Sequence, residues 1–391
     1  MPSRRALLSA LTAATTAGVA GCAGRASDVF SNKPPVEGPC DDSTGQWPTA
    51  GGDPGRTGWT DTAPPNPDAD VVNVLAGART DGRQRLASSL PVVADGTAYV
   101  PASGGIVALD YDAPTEDPLW THDLDDDATV PALACGAVLV PSLNKLTALD
   151  PGTGETYWQA DVGGHGETTV AALDETVYVA GVTPTSLDIR TGDVKWNASG
   201  GDTLALDTDG VYTTQNVNGT GGIFAHDLDG KERWHLALGK IVGSASVYDG
   251  TVFVADTHST VYAIDALTGE THWSRALDGV SKIHSGLAVH GQDVVVPAGT
   301  GETSLVLDAG SGETRWSVET GIVTGRPLIG DAWIALGRTN TGVSVYDRKT
   351  GDHRTTWSRE TYDLGTISGL VPVEDGFIIR GGTTSGLALL R

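Results

Sequence analysis

The stretch Leu149–Trp158, LDPGTGETYW, decides the fold of this chain because versions of it recur throughout the sequence. The other copies are Leu109–Trp120, Leu187–Trp196, His226–Trp234, Ile264–Trp273, Leu307–Trp316 and Tyr346–Trp357. Their aspartates follow one another at intervals of 38 to 43 residues. A nearly constant interval in this range indicates an array of one supersecondary unit.

Two short β-like runs precede the third strand of each unit. In the fifth unit, Val242–Asp249 and Thr251–Ala255 flank a turn at Gly250, and a polar connection leads to Val261–Asp265. Runs of β-branched and aromatic residues bounded by Gly, Asp, Asn and Ser predict strands. No stretch of ten or more residues after position 30 has a helical period. Each unit is therefore predicted to be four antiparallel strands, the last of which carries the tryptophan.

The turn before each tryptophan has a physical logic. Asp150 leaves the third strand and can accept hydrogen bonds from the next amides, while Gly154 supplies a left-handed position without steric cost. The indole then offers a large apolar face to the next unit and an N–H that needs a carbonyl. We therefore expect structural docking by Trp120, Trp158, Trp196, Trp234, Trp273, Trp316 and Trp357.

Counting the units predicts a closed ring. The first three strands occur eight times, the last time in Thr366–Leu390, but only seven tryptophan strands follow them. Val71–Leu75, just before the first unit, is the candidate for the missing outer strand. Pairing the two ends of the array removes open sheet edges. Residues 71–391 are therefore predicted to form an all-β, eight-bladed β-propeller of four-stranded antiparallel blades, closed by an N-terminal strand.

The start of the chain predicts export. Arg4 and Arg5 precede an apolar run that ends at Gly21, which is typical of a twin-arginine signal peptide over residues 1–21. Small residues then lead to Cys22, the expected lipidation site. A buried helix or a membrane anchor is the alternative, but the run is shorter than the ~20 residues of a span. Residues 22–70, rich in Pro, Gly, Asp, Ser and Thr, are predicted to be a flexible tether and lead-in segment.

The composition is strongly acidic, with a formal net charge of −24 from 49 acidic and 25 basic residues. Such self-repulsion opposes compaction at ordinary salt, whereas at ~1 M salt the screening length falls to ~3 Å. We therefore predict a secreted protein of a salt-loving prokaryote, a haloarchaeon; an ordinary acidic exported protein is the alternative. Nucleic acid is excluded as a partner because the sequence shows no basic face.

The pairing of two cysteines and the glycosylation of two sequons remain open. Cys40 lies in the tether and Cys135 ends a first strand, and outside the cell the pair either forms a disulfide or stays as two free thiols. Asn197 and Asn218 begin glycosylation sequons, whose occupancy the sequence leaves undecided.

The repeats resemble those of the quinoprotein-type (PQQ-like) β-propeller family. That family carries a tryptophan-docking motif, Ala-x-Asp-x-x-Thr-Gly-x-x-x-Trp, which Ala148–Trp158 and Ala263–Trp273 match closely. The lead-in Gln46–Gly58 also resembles the start of such propellers in exported prokaryotic proteins. The family includes quinone-dependent alcohol dehydrogenases, BamB-type outer-membrane assembly lipoproteins and many cell-surface proteins.

The resemblance implies specific equipment for an enzyme: adjacent cysteines over the quinone, acidic and Asn ligands to Ca²⁺, and a catalytic Asp. The chain has no Cys-Cys pair. Asp123–Asp127 is the densest acidic cluster, but it lacks the Gly and Glu of a recognised calcium loop, so a solvated surface loop is favoured. His165, His258 and His284 fall near expected loop tips without zinc-type spacing. Asp53 and Arg56 are expected to pair locally.

The sequence thus favours a non-catalytic lipoprotein, anchored to the membrane only by lipid, whose propeller is a binding scaffold. We expect no cofactor, no catalytic residue and no metal site. The predicted partner is an envelope or surface protein or a small ligand, and the chain is expected to be monomeric. Two alternatives remain: a PQQ-dependent dehydrogenase-like enzyme, and a BamB-like envelope assembly or sensor component.

Overall fold

The computed structural model describes residues 36, 38, 40, 47–73, 89–114, 117–163, 169–217, 219–278, 280, 282–299, 303–362, 366–381 and 387–391. These residues belong to one compact unit, Lys33–Arg391. Within the described ranges, no helix is both long enough and apolar enough to span a membrane.

The strands follow the predicted repeat. The first sixteen are β1 (Val71–Asn73), β2 (Val92–Ala94), β3 (Thr97–Ala102), β4 (Gly105–Asp110), β5 (Trp120–Asp123), β6 (Ala132–Ala134), β7 (Ala137–Ser142), β8 (Lys145–Leu149), β9 (Thr156–Asp161), β10 (Val170–Leu173), β11 (Thr176–Val179), β12 (Thr185–Asp188), β13 (Val194–Asn197), β14 (Thr203–Leu206), β15 (Val211–Val217) and β16 (Thr220–His226). The others are β17 (Glu232–Leu238), β18 (Ile241–Tyr248), β19 (Thr251–Asp256), β20 (Thr260–Asp265), β21 (Thr271–Ala276), β22 (Ala288–His290), β23 (Asp293–Val296), β24 (Thr303–Asp308), β25 (Thr314–Glu319), β26 (Leu328–Ile329), β27 (Trp333–Arg338), β28 (Gly342–Asp347), β29 (His353–Ser358), β30 (Ile367–Val373), β31 (Gly376–Gly381) and β32 (Leu387–Leu390).

The described strands form eight four-stranded antiparallel sheets, the blades of a propeller. Blades 1 to 7 each take four consecutive strands, from β2–β5 for blade 1 to β26–β29 for blade 7. The predicted fold class is therefore confirmed. A single helical turn, α1 (Arg359–Tyr362), lies in the connection from blade 7 to blade 8.

Blade 8 closes the ring with strands from both parts of the chain. Its order is β1-β32-β31-β30, and Val71 pairs with Leu390 and Asn73 with Ala388. The backbones of Asp70 and Arg391 exchange hydrogen bonds of 3.0 and 3.1 Å just before this pairing. The predicted closure by an N-terminal strand is confirmed over Val71–Asn73, while residues 74 and 75 lie outside the described part.

The hydrophobic core lies mainly in the seams between neighbouring blades. One cluster joins blade 2 to blade 3 through Leu139, Trp158, Val177 and Leu187. Strand faces are buried on both sides near the ring interior, whereas outer strands such as β21 alternate between exposed and partly buried side chains. Each sheet therefore buries its faces against the neighbouring sheets, which is why a single blade does not suffice.

The disc has two different faces. In an antiparallel blade, the turns from first to second strand and from third to fourth strand lie at one end, and the other connections lie at the opposite end. The first end also carries residues 47–60, which we call the strap, so we name it the strap face. The opposite end, with the second-to-third turns and the connections between blades, is the loop face.

Candidate functional site

The tryptophans of the repeat dock onto the next blade through one hydrogen bond each. The indole Nε1–H groups of six of them donate to the carbonyl oxygen of the residue after the repeat aspartate, at 2.8–3.1 Å. The pairs are Trp120 with Pro151, Trp158 with Ile189, Trp196 with Leu228, Trp234 with Ala266, Trp273 with Ala309 and Trp316 with Arg348. The repeat therefore encodes contacts between blades as well as strands within them.

The glycine of each turn receives the preceding blade's indole ring. Gly192 has φ +77°, and a Cβ built there would lie 2.6 Å from Cε3 of Trp158. Gly154 meets the ring of Trp120 in the same way, at 2.5 Å. Glycine is needed at these positions for two reasons, the left-handed backbone and the close approach of the ring.

Trp357 departs from this pattern. It is fully buried, but its Nε1 has no hydrogen-bond partner among the described residues. The neighbouring blade 8 is composite, because β1 takes the place of an outer strand that would continue directly from β32. Trp357 packs in the apolar cluster at this seam.

The strap follows the inner rim of the ring on the strap face. Backbone carbonyls of the strap accept hydrogen bonds of 2.7–3.2 Å from amides of the innermost strands of blades 1, 2, 4, 5, 6 and 7. The pairs are Trp47 with Val93, Pro48 with Leu133, Pro54 with Leu206, Gly55 with Val247, Thr57 with Val289 and Gly58 with Ile329. The strap thus satisfies amides that point away from their own sheets. Within the predicted tether and lead-in segment, residues 47–60 are part of the folded propeller.

Buried charges fix the strap on blades 4 to 6. The Asp53 carboxylate accepts hydrogen bonds from the Thr57 amide and hydroxyl, yet burial raises the pKa of Asp53. Burial also lowers the pKa of Arg56 to about 10 and that of Arg326 to about 9. Arg326 donates to the carbonyl oxygens of Arg56 and Leu287, so one guanidinium joins the strap to a blade connection.

The local pairing expected for Asp53 and Arg56 is wrong for the arginine side chain. Arg56 Nη1 donates to the carbonyl oxygen of Leu204 at 3.1 Å, in blade 4 and 148 residues away. Asp53 keeps local partners, because its carboxylate bonds to Thr57. The side chain of Arg56 reaches outward because the strap itself lies against the inner strands.

The described residues before the strap, Val36, Gly38 and Cys40, which we call the arm, are attached at the blade 2–blade 3 seam. Cys40 and Cys135 are joined by a disulfide with a Cα–Cα distance of 4.2 Å. Arg190 Nη1 donates to the carbonyl oxygens of Val36 and Gly38 at 2.8 and 2.7 Å. Sequence reasoning missed Arg190, which lies in a repeat turn and resembles an ordinary surface arginine. Only the position of the arm reveals its role.

A broad concavity of about 880 Å³ opens on the strap face between the strap and blades 8, 1, 2 and 3. Its aromatic lining residues are Trp59 and Tyr111. The ionisable groups lining it are all acidic or phenolic, with carboxylates from Asp53, Asp61, Asp95, Asp112, Asp174 and Glu374. Its electrostatics therefore disfavour an anionic ligand.

The cofactor of the resembling enzymes does not fit these residues. A quinone bearing several carboxylates would meet six carboxylates and no basic side chain among the residues that line this concavity. Among the described residues, no group of three or more His, Cys, Asp or Glu is placed to hold a metal ion such as Ca²⁺. The described disulfide joins cysteines 95 residues apart rather than adjacent ones.

Carboxylates of the acidic cluster, residues 123–127, bind neighbouring groups on the loop face. Asp125 pairs with Lys145 at 2.9 Å. Asp127 accepts hydrogen bonds from the Ser103 hydroxyl and the Gly104 amide at 3.0 and 2.9 Å. The cluster's oxygens are thus used for contacts between two connections on the loop face.

The remaining predicted residues are spread apart. His258 and His284 are exposed on the loop face, in a turn of blade 5 and in the connection to blade 6. Asn197 ends β13 and is exposed, with its Oδ1 accepting a 2.9 Å hydrogen bond from Thr185. Arg4, Arg5, Cys22, His165 and Asn218 lie outside the described residues.

A family model described as outer membrane protein assembly factor BamB matches three overlapping stretches, residues 52–202, 103–240 and 219–368. Together these cover most of the propeller. No curated relative matches the chain at the sequence level.

Solved structures share the shape at low identity. BamB from Moraxella catarrhalis is 18% identical, with a TM-score of 0.61 over 82% of this chain and 97% of that one. Quinohemoprotein alcohol dehydrogenase from Comamonas testosteroni is 16% identical, with a TM-score of 0.64 over 88% and 80%. A europium-containing methanol dehydrogenase is 15% identical, with a TM-score of 0.61 over 89% and 91%. These likenesses concern the fold alone, since enzymes and a BamB share it.

Proposed function

This chain belongs to the family described as outer membrane protein assembly factor BamB, and we propose that it is a non-catalytic, lipid-anchored extracytoplasmic scaffold that binds a protein or small ligand. Arg4, Arg5 and Cys22 supply the export and anchoring signals of this proposal. The acidic composition of the chain suits a salt-rich exterior such as that of a haloarchaeon, because salt screens the repulsion between its carboxylates.

The observation that carries the proposal is the use of the inner rim by the chain's own strap. Amides of six innermost strands bond to the strap, Arg56 bonds from the strap to blade 4, and Arg326 bonds to the strap carbonyl of Arg56. The carboxylates of the concavity and of residues 123–127 supply neither an anion site nor a metal cluster within the described residues. The two faces of the disc are then the surfaces left for an activity of the protein. We infer that they serve binding rather than catalysis, an inference from the site and not from the fold.

Cell fractionation tests the anchor. Cys22→Ser should move the protein from the membrane fraction into the medium, because the thiolate that receives the lipid is lost. Cys40→Ser/Cys135→Ser is the matched control, since it also removes cysteines but leaves the proposed anchor in place. Unchanged membrane retention of Cys22→Ser would refute the anchored part of the proposal.

Two alternatives make different predictions. A BamB-like assembly or sensor component, favoured by the family match, should capture a defined envelope protein from extracts in high salt. A PQQ-dependent dehydrogenase should gain quinone absorbance and dye-linked alcohol oxidation on reconstitution with PQQ and Ca²⁺. We expect no such activity; its appearance would overturn the non-catalytic proposal.

A further inference from the structure

The described residues between Val36 and Asp70 lie on the strap face. Gly38 packs on the first-to-second turn of blade 2, where a Cβ on Gly38 would lie 2.3 Å from the Cys135 carbonyl oxygen. The strap then follows the inner ends of six blades, and Asp70 bonds to Arg391 at the end of β32. The chain crosses to the loop face only within β1.

The arm is firmly held at this place. Val36 is 1% exposed and packs in the blade 2–blade 3 cluster with Cys135 and Leu187. Arg190 bonds to two arm carbonyls, and the disulfide of Cys40 makes the attachment covalent. Val36, the first described residue of the chain, is therefore held at the strap face.

We propose that the strap face is turned toward the membrane and the loop face away from it. This inference rests on the lipid anchor of the proposed function. Between Cys22 and Val36 there are fourteen residue steps, which span at most about 50 Å when fully extended. The membrane therefore lies within that reach of the point where the arm is attached.

Chain length opposes the inverted orientation. An outer strand such as β17, with 7 residues, is about 23 Å long, and the four strands of a blade add about 14 Å between its inner and outer edges. A chain that passed around the rim would spend most of its length on this path. Ordering that length of chain along the rim would cost conformational entropy, a cost that the strap-face orientation does not require.

The acidic turns affect the distance between the propeller and the bilayer rather than the orientation of the propeller. The repeat aspartates, such as Asp150 and Asp265, lie on the strap face and would repel anionic headgroups. Screening limits this repulsion to about 8–10 Å at ordinary ionic strength. The loop face, with exposed Leu143, Val182 and Val217 at turns of blades 2, 3 and 4, then points away from the bilayer.

Energy transfer in vesicles tests the orientation. The full-length lipidated protein is placed in zwitterionic vesicles that contain a headgroup-labelled acceptor lipid. Donor labels are attached at Lys231→Cys, in the third-to-fourth turn of blade 4, and at Lys240→Cys, in the connection that follows β17. Both positions are exposed, and they are about 30 Å apart along one outer strand. Labelling without reductant leaves the native disulfide intact.

We expect several-fold higher transfer from position 231 than from position 240. A second pair on other blades, Lys349→Cys on the strap face and Lys282→Cys on the loop face, separates a tilted disc from an inverted one. Replacing both native cysteines, in Cys40→Ser/Cys135→Ser, should reduce the contrast, because the tether lengthens.

The outcomes distinguish the two proposals. Equal transfer from both faces, or higher transfer from positions 240 and 282, overturns the orientation and leaves the anchor standing. If the protein does not associate with vesicles, as expected for Cys22→Ser, the anchor fails and the orientation fails with it.

Discussion

The indole Nε1 of Trp158 donates a 2.8 Å hydrogen bond to the carbonyl oxygen of Ile189, which follows the repeat aspartate of the next blade. The same indole ring covers Gly192 three residues further along. One side chain thus joins two blades by a polar contact and an apolar contact together. Because five more tryptophans repeat this arrangement, the ring is stabilised seam by seam.

Removing one of these indoles should destabilise the propeller strongly. Trp158→Ala or Trp273→Ala should lower the free energy of unfolding by about 3–5 kcal/mol, since a large aromatic side chain packed against the next blade is lost. Denaturant unfolding in high salt measures the change. A denaturant unfolding curve near that of the wild type would contradict docking between blades.

Phenylalanine separates the hydrogen bond from the packing. Trp158→Phe leaves the Ile189 carbonyl without its indole donor, which should cost about 1 kcal/mol beyond the lost area. Trp357→Phe is the matched comparison, because the Trp357 Nε1 has no partner among the described residues. Equal or larger destabilisation by Trp357→Phe would argue against a contribution from the hydrogen bond.

The turn glycines should not tolerate a methyl group. Gly192→Ala should cost about 2 kcal/mol or more, because a left-handed alanine is strained and its Cβ would lie 2.6 Å from the Trp158 ring. Gly310→Ala is the control in a similar turn, where the nearest atom is a side-chain oxygen 3.4 Å away; it should change stability by less than about 1 kcal/mol. Thermal unfolding of the two variants, if indistinguishable, would refute this role.

The disulfide should stabilise the fold through the long loop that it closes. Cys40 and Cys135 are 95 residues apart, and breaking such a link typically costs about 2–5 kcal/mol. Cys40→Ser, Cys135→Ser and the double variant should melt at similar lower temperatures, and reductant should shift only the wild type. A wild type that is insensitive to reductant, with full reduction shown by thiol titration, would speak against this.

His226 should make the fold sensitive to mild acid. Its side chain is 2% exposed, its Nδ1 has no hydrogen-bond partner within the described residues, and burial lowers its pKa from the usual value near 6.5. The unfolded chain then binds a proton more readily than the folded chain, so this contribution to stability is complete above about pH 6.5 and falls as the pH drops toward the lower folded-state pKa.

Melting temperatures between pH 7 and pH 5 measure this loss. His226→Leu introduces the residue found at the equivalent Leu187 and should reduce the slope in this window. Burial also lowers the pKa values of His122 and His290, so part of the slope should remain. The exposed His272, changed to leucine, serves as the control. An unchanged slope in His226→Leu would rule out its contribution.

The repeat predicted the blades because each copy contains the residues that form the turn and dock the strand onto the next blade. The turn aspartate, the left-handed glycine and the tryptophan act over about ten residues, and seven similar copies of this local pattern yield seven sheets with the same strand order. The closure by Val71–Asn73 also followed from counting. The course of the strap did not, since its six bonds to inner strands involve backbone groups that no side-chain pattern reveals.

The sequence by itself determined the eight blades, the seams between them and the N-terminal strand that completes the ring, because these depend on periodic residues with short-range chemistry. The tertiary structure alone decided that Arg190 holds the arm, that Arg56 reaches blade 4 and that the Trp357 indole has no acceptor among the described residues. Each of these contacts joins segments far apart along the chain, and their partners are set by where the closed ring brings the backbone. The two faces of the disc follow from that closure.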